Sequence, residues 1–208
     1  MDKLLPESTA SWTREGRRDD EPMIEENWLF QLRRERFKSR TSGRVHAFYV
    51  MELADAVHVI ALTPDRQLVM VRQFRAGSAK DSLETPGGLL EPGESALEAG
   101  PRELLEETGY AGDAPEIVGT VWSNPSIVTS RTTTIVVRNA RLVAEPRLDQ
   151  YEEVVVELAP APAIPQMIQD GRIDHALVVS GLFWWLRSEA NAAPRVESTN
   201  QRGNEYTQ

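Results

Sequence analysis

Apolar residues in this chain fall into short runs separated by charged and turn-forming segments. That spacing predicts a strand-rich core with few helices. Residues 27–62 hold three strand-like runs, NWLFQLRRERFKS, RVHAFYVMEL and AVHVIALT. Asp65-Arg66 separates AVHVIAL from QLVMVRQF and reads as the turn of a hairpin. Further runs are IVGTVWS, TTTIVVRNARLV and EVVVELA. Helices are predicted over about Ala96–Thr108, Ala163–Ile168 and Asp174–Arg187. Residues 1–22 are polar and read as a flexible terminus, and residues 188–208 read as a disordered polar tail. No internal repeat is present. Strands on both sides of one helix, with helices afterwards, predict an α+β fold or an α/β sandwich around a mixed sheet.

The first helix carries the candidate chemistry. Ser95 is placed as its N-cap, Glu98 completes a capping box, and Gly109 is its C-terminal stop. On a 3.6-residue helix Glu103, Glu106 and Glu107 share one face, where like charges repel unless a cation is near. Ala96, Ala99 and Gly100 keep that side free of bulk. Leu97, Leu104, Leu105 and Thr108 are expected to face the core from the other side. Hard oxygen ligands beside open space suit Mg²⁺ or Mn²⁺ shared with a phosphate group. An ordinary solvated acidic face is the competing reading, but it accounts neither for the glycine loop before the helix nor for Arg102.

Composition narrows the choice. Forty per cent hydrophobic and 26% charged residues fit one globular domain with extensions. The absence of cysteine removes disulfides, thiol catalysis and zinc–thiolate sites. A net charge of −9 argues against nucleic acid as a partner and makes local cations necessary for an anionic substrate. No apolar run suits a membrane span, and no signal-peptide core appears at the N-terminus, so a cytoplasmic location is expected. The three histidines, His46, His58 and His175, lack metal-site spacing and read as packed or exposed residues. No P-loop, nucleophile elbow or dinucleotide fingerprint occurs.

Residues Gly88–Tyr110 read GLLEPGESALEAGPRELLEETGY, or G-x5-E-x7-R-E-U-x-E-E-x-G-U, with U a bulky apolar residue. The pattern resembles the Nudix box, and its single-residue requirements give a chance match on the order of 10⁻⁸ per start site. VRQFR at 71–75, LETPGG at 83–88, Pro125 and EEVVVEL further resemble the ADP-ribose pyrophosphatase branch. The resemblance covers roughly residues 25–187. It implies an α/β/α sandwich around a mixed sheet, with residues 23–55 as a strand-rich dimerisation segment exchanged in a homodimer and residues 56–187 as the hydrolase domain.

The resemblance also implies roles. The Gly87 carbonyl, Glu103 and Glu107 would hold two or three Mg²⁺ ions, with Mn²⁺ possible, and Glu106 would be a further or alternating ligand. Arg102 would orient them by pairing with Glu94 or Glu106. The general base falls to Glu152 or Glu153, with Asp149 a weaker option. Trp28, Arg75, Glu84, Leu89 and Pro125 would contact a small nucleoside-diphosphate substrate. Tryptophans 122, 184 and 185 are expected in the core or an interface. ADP-ribose cleaved to AMP and ribose 5-phosphate is the reaction implied first. A nucleotide sugar such as a GDP-mannose-like compound, a dinucleotide, or a catalytically silent ligand sensor stand as alternatives. Two departures bear on this. Pro125 stands in SNPSIVTS rather than a Ser-Pro-Gly run, and Pro101 lies inside the box helix, where a kink or widened first turn is expected.

Overall fold

The structure, a computed structural model, describes residues 11–16, 23–148, 150 and 153–192. The chain folds as a mixed β-sheet sandwiched between helices, preceded by a separate antiparallel sheet. The main sheet has the order β10 (Glu116–Trp122), β11 (Arg131–Val137), β5 (Ala56–Leu62), β6 (Gln67–Arg75), β13 (Val154–Pro160). Strands β11 and β5 are parallel, and the other pairs are antiparallel.

The hairpin read at Asp65-Arg66 is present. Arg66 takes a left-handed φ of 61°, and the Thr63 hydroxyl donates to Asp65 at 2.6 Å. Yet β5 and β6 stay paired only at Ala61↔Val69 and Leu62↔Leu68. Beyond that they diverge. Strand β7 (Lys80–Glu84) pairs with β6 and β8 (Gly87–Leu89) pairs with β5, so the box glycines lie where the sheet splits.

Alternation along the central strands builds two cores. Val57, Val59, Ala61 and Val69 face one way, packing with Ile135 and Val137 against Ala99 and Leu104 of α1 (Ala96–Thr108). Ile60, Leu62, Leu68 and Met70 face the other way, toward α2 (Ile164–Gln169) and α3 (Ala176–Ala192), where Trp185 is 1% exposed. A short 3₁₀ turn over Ala161–Ala163 leads into α2. Strands β9 (Tyr110–Ala111) and β12 (Arg141–Leu142) form a small pair beyond α1.

The N-terminal sheet is built on β3 (Gln31–Ser39). Strand β4 (Val45–Glu52) lies on one side of it, with β1 (Trp12–Arg14) and β2 (Met23–Glu26) on the other. Residues 12–14, expected in a flexible terminus, are therefore strand. The edge of Trp12 packs on Phe48, and Arg14 pairs with the fully buried Glu35. The sheet meets the main domain at Met51, which exchanges backbone hydrogen bonds with Ile127 and Thr129 at 2.7 and 3.0 Å.

Two other expectations are corrected. Helix α3 continues five residues past Arg187, because Glu189 is anchored by Arg66 and Arg138 from two separate turns; residues 193–208 lie outside the described chain. Helix α1 runs continuously from Ala96 to Thr108 with Pro101 inside it. The faces of α1 are also not those expected. Leu97 and Leu105 are 42% and 39% exposed, whereas Ala99, Gly100 and Glu107 are buried with Leu104 and Thr108. The small residues permit close approach to the sheet: a Cβ on Gly100 would stand 2.2 Å from Ile135 Cδ1. Among the described residues no helix is long and apolar enough to cross a membrane.

Candidate active site

The acidic face of α1 looks inward, at the split in the sheet. The helix is held at its start by Glu98, whose carboxylate accepts from the Ser95 N–H at 2.9 Å and from its hydroxyl at 2.7 Å. It ends at Gly109, in the left-handed region with φ 72°, whose N–H donates to Leu105 O at 2.8 Å. Between these stops the helix sets Glu103 and Glu107 against Gly88 and Gly87.

Both glycines are required by proximity. A Cβ on Gly87 would fall 2.1 Å from Val57 O, and one on Gly88 would fall 2.4 Å from Glu103 Oε1. The Gly87 N–H donates to Glu107 Oε2 at 2.9 Å, and that glutamate is 4% exposed. The Glu103 carboxylate fills the space that a side chain at 88 would take.

Arg102 gathers the remaining acids. Its Nε and Nη2 donate in a bidentate fork to Glu94 at 2.9 Å each, while Nη1 donates to Glu103 at 2.9 Å and Glu106 at 3.0 Å. The pairing expected with Glu94 or Glu106 thus occurs with both. Hydrogen bonding from Arg102 lowers the Glu94 carboxyl to about 2, and Glu94 in return raises Arg102 above its ordinary value. Glu94 therefore fixes the arginine.

The donor set fits a hard divalent ion. Among the described residues no three acidic or histidine side chains converge on one point, so the site needs a backbone oxygen alongside Glu103 and Glu107. Gly87, bonded to Glu107 and free of a side chain, can supply it. Glu107 is buried and Glu103 partly buried, so both present oxygens at the glycine-lined split.

The remaining residues named from the sequence are spread around the split. Leu89 ends β8, 40% exposed, and its carbonyl lies 3.5 Å from Arg102 Nη2. Arg75 closes β6 and grips Glu84 of β7 through two bonds of 2.8 and 2.7 Å. Pro125 sits exposed in the β10–β11 loop, which Met51 ties to the N-terminal sheet. Trp28 belongs to that sheet, not to the box cluster. It is 90% exposed at the β2–β3 turn, whose backbone N–H groups at Leu29 and Phe30 donate to the Asn27 side chain. Trp28 is therefore not a core residue of this chain. Glu153 is exposed immediately before β13, while Glu152 and Asp149 lie outside the described residues. Trp185 is core, whereas Trp184, 38% exposed, lies over Gly119.

Sequence reasoning missed one cluster. His58 and His175 face each other with ring centroids 6.0 Å apart, close to Glu84. The available signal was a histidine inside the otherwise apolar run AVHVIAL.

Comparison with known proteins agrees with this geometry. The NUDIX domain matches residues 52–176. The chain is 29% identical over 116 residues to the ADP-ribose pyrophosphatase of Bacillus subtilis (strain 168), covering 55% of this chain and 63% of that protein. It is 34% identical over 113 residues to the ADP-sugar pyrophosphatase of Mus musculus, covering 49% and 52%. The chain thus spans less than two thirds of the length of these two relatives. The crystal structure of an ADP compounds hydrolase aligns with a TM-score of 0.75 over 90% of this chain and 98% of that one, at 22% identity, which shows the same fold.

Proposed function

The chain belongs to the Nudix family of hydrolases, and on that premise we propose that it is a Mg²⁺-dependent pyrophosphohydrolase that cleaves ADP-ribose to AMP and ribose 5-phosphate. The observation that carries this reading is the inward acidic face of α1. Glu103 and Glu107 meet the Gly87-Gly88 strand, and Arg102 fixes the acids around them.

The residues divide the work. Glu103, Glu107 and the Gly87 carbonyl hold two or three Mg²⁺ ions, or Mn²⁺ in their place, with Glu106 as a further ligand. Such ions polarise water and neutralise charge developing on a diphosphate. Arg102 and Glu94 keep the carboxylates in place between turnovers. Glu153, just before β13, or its sequence neighbour Glu152 takes the proton from the attacking water, and a P–O–P bond breaks. Arg75 contributes its fork to phosphate or ribose oxygens. Leu89 and Pro125 border the substrate, and Trp28 offers an exposed ring for the base.

The relatives named above share an ADP moiety in their names, which supports adenine recognition more than any one sugar. A nucleotide sugar is the second reading, because the Pro125 loop departs from the Ser-Pro-Gly run. A homodimer is supported by the N-terminal sheet, which presents Ile24, Trp28 and Leu29 to solvent at 48%, 90% and 37%.

The test is hydrolysis of ADP-ribose, nucleotide sugars, NADH, diadenosine polyphosphates and CoA with Mg²⁺, with products identified. ADP-ribose is expected to give the highest kcat/KM. Full activity in a Glu107→Gln variant would remove the metal assignment, whereas hydrolysis of none of these compounds by the parent would leave the ligand-sensor alternative.

A further inference from the structure

Glu84 is fully buried, yet both of its carboxylate oxygens are bonded to an arginine whose side chain is 42% exposed. A carboxylate so placed does not reach a ligand directly, but it fixes the plane of the guanidinium that can. What stands behind it is unusual for a protein interior. His58 and His175 meet at 65° with centroids 6.0 Å apart. Burial, and then His175, push His58 down to about 4, so it is neutral at physiological pH. The Nδ1 atoms of both histidines and the Thr85 hydroxyl are buried without a hydrogen-bond partner.

These residues join elements that are distant in sequence. Lys80, the first residue of β7, pairs with Asp174 just before α3. Glu84, the last residue of β7, lies in the field of His175. Burial raises the Glu84 carboxyl, but Arg75 and His175 overcome this and hold it below its ordinary value. Asp174 thus ties the start of α3 to the first residue of the strand that leads into the Gly87 turn. Leaving polar atoms unpartnered in a core is costly. Such a cluster persists when geometry matters more than stability.

We propose that Glu84, backed by the His58–His175 pair, is a positioning residue that aims Arg75 at the substrate. The inference rests on the reading of Arg75 as a substrate contact. Released from Glu84, the arginine regains rotamer freedom that binding must remove again, which corresponds to a rise in KM on the order of tenfold.

The test is a double-mutant cycle in the full chain with ADP-ribose and Mg²⁺. Arg75→Ala is expected to raise KM strongly. Glu84→Gln is expected to raise it about tenfold, with kcat within about twofold of the parent. Combining the two should be no worse than Arg75→Ala alone, because Glu84 has then lost the group it acts through. His175→Ala, checked by melting temperature, should shift KM in the same direction, and His175→Asn should restore it. Additive effects of Glu84→Gln and Arg75→Ala would overturn the proposal, as would a fall in kcat at unchanged KM. If Arg75→Ala leaves KM unchanged, the reading of Arg75 itself fails, and that result is distinct from additivity.

Discussion

Two adjacent glycines should respond to alanine in opposite ways. At Gly88 a Cβ would lie 2.4, 2.6 and 2.8 Å from Oε1, Cδ and Oε2 of Glu103, atoms at the end of a flexible side chain. The carboxylate must retreat by about 1 Å to reach ordinary contact, and a displacement of that size costs about 100-fold in rate when it falls on a catalytic group. Stability should hardly change. Removing backbone freedom from the unfolded chain contributes about 0.4–1 kcal/mol, and the weakened Arg102–Glu103 pair, partly exposed, offsets about as much. The melting temperature of Gly88→Ala should therefore stay within about 4 °C of the parent. At Gly87 the same methyl meets Val57 O at 2.1 Å and His58 Cα at 3.0 Å, backbone atoms that cannot swing aside. Gly87→Ala should lose about 3 kcal/mol or more. The assay is AMP release from ADP-ribose across a Mg²⁺ titration, with thermal melts in parallel. The reasoning is refuted if folded Gly88→Ala keeps the parental kcat/KM and Mg²⁺ dependence, because Glu103 would then have no part in the chemistry.

Further outcomes follow from the same helix. Pro101→Ala restores the N–H that can donate to Leu97 O; with α1 already unbroken, it should gain about 1–2 kcal/mol in urea melts without changing Mg²⁺ affinity. Glu94→Gln tests the clamp by pH. The folded pKa, about 2, lies below the ordinary 4.5, so the pair stabilises fully above 4.5 and loses this as pH falls through 2. The gap in urea midpoint between parent and Glu94→Gln should be constant from about pH 5 to 8 and close by about pH 2. Glu189→Ala removes two partly exposed ion pairs and should cost no more than about 1 kcal/mol, seen as faster amide exchange at the end of α3.

What the sequence showed best was local. The box signals, Ser95, Gly109 and the hairpin at Asp65-Arg66 depend on neighbours within a few residues, and each occurs where the residues placed it. What it hid was contact between distant segments. Along α3, Glu189 meets Arg66 and Arg138 from two distant turns. Trp12–Arg14 pairs with the edge of β3, and Arg14 reaches Glu35 across it. His58 and His175 look scattered until β5 and α3 bring them together.

The misplaced face of α1 has a different cause. Hydrophobicity says which residues prefer the interior, but it does not say that acids stay outside. Leucines at 97 and 105 drew the expected core to their side, leaving the acids on the face away from it. The fold inverts this because Ala99 and Gly100 allow an approach to the sheet that no leucine would permit. That approach carries Glu103 and Glu107 in with it. The charge is partly met within the chain, by the Gly87 N–H on Glu107 and by Arg102 on Glu103. One guanidinium is shared among Glu94, Glu103 and Glu106. The close packing of small residues against the strands is thus what brings these carboxylates to the split of the sheet, where hard oxygen donors suit a divalent cation.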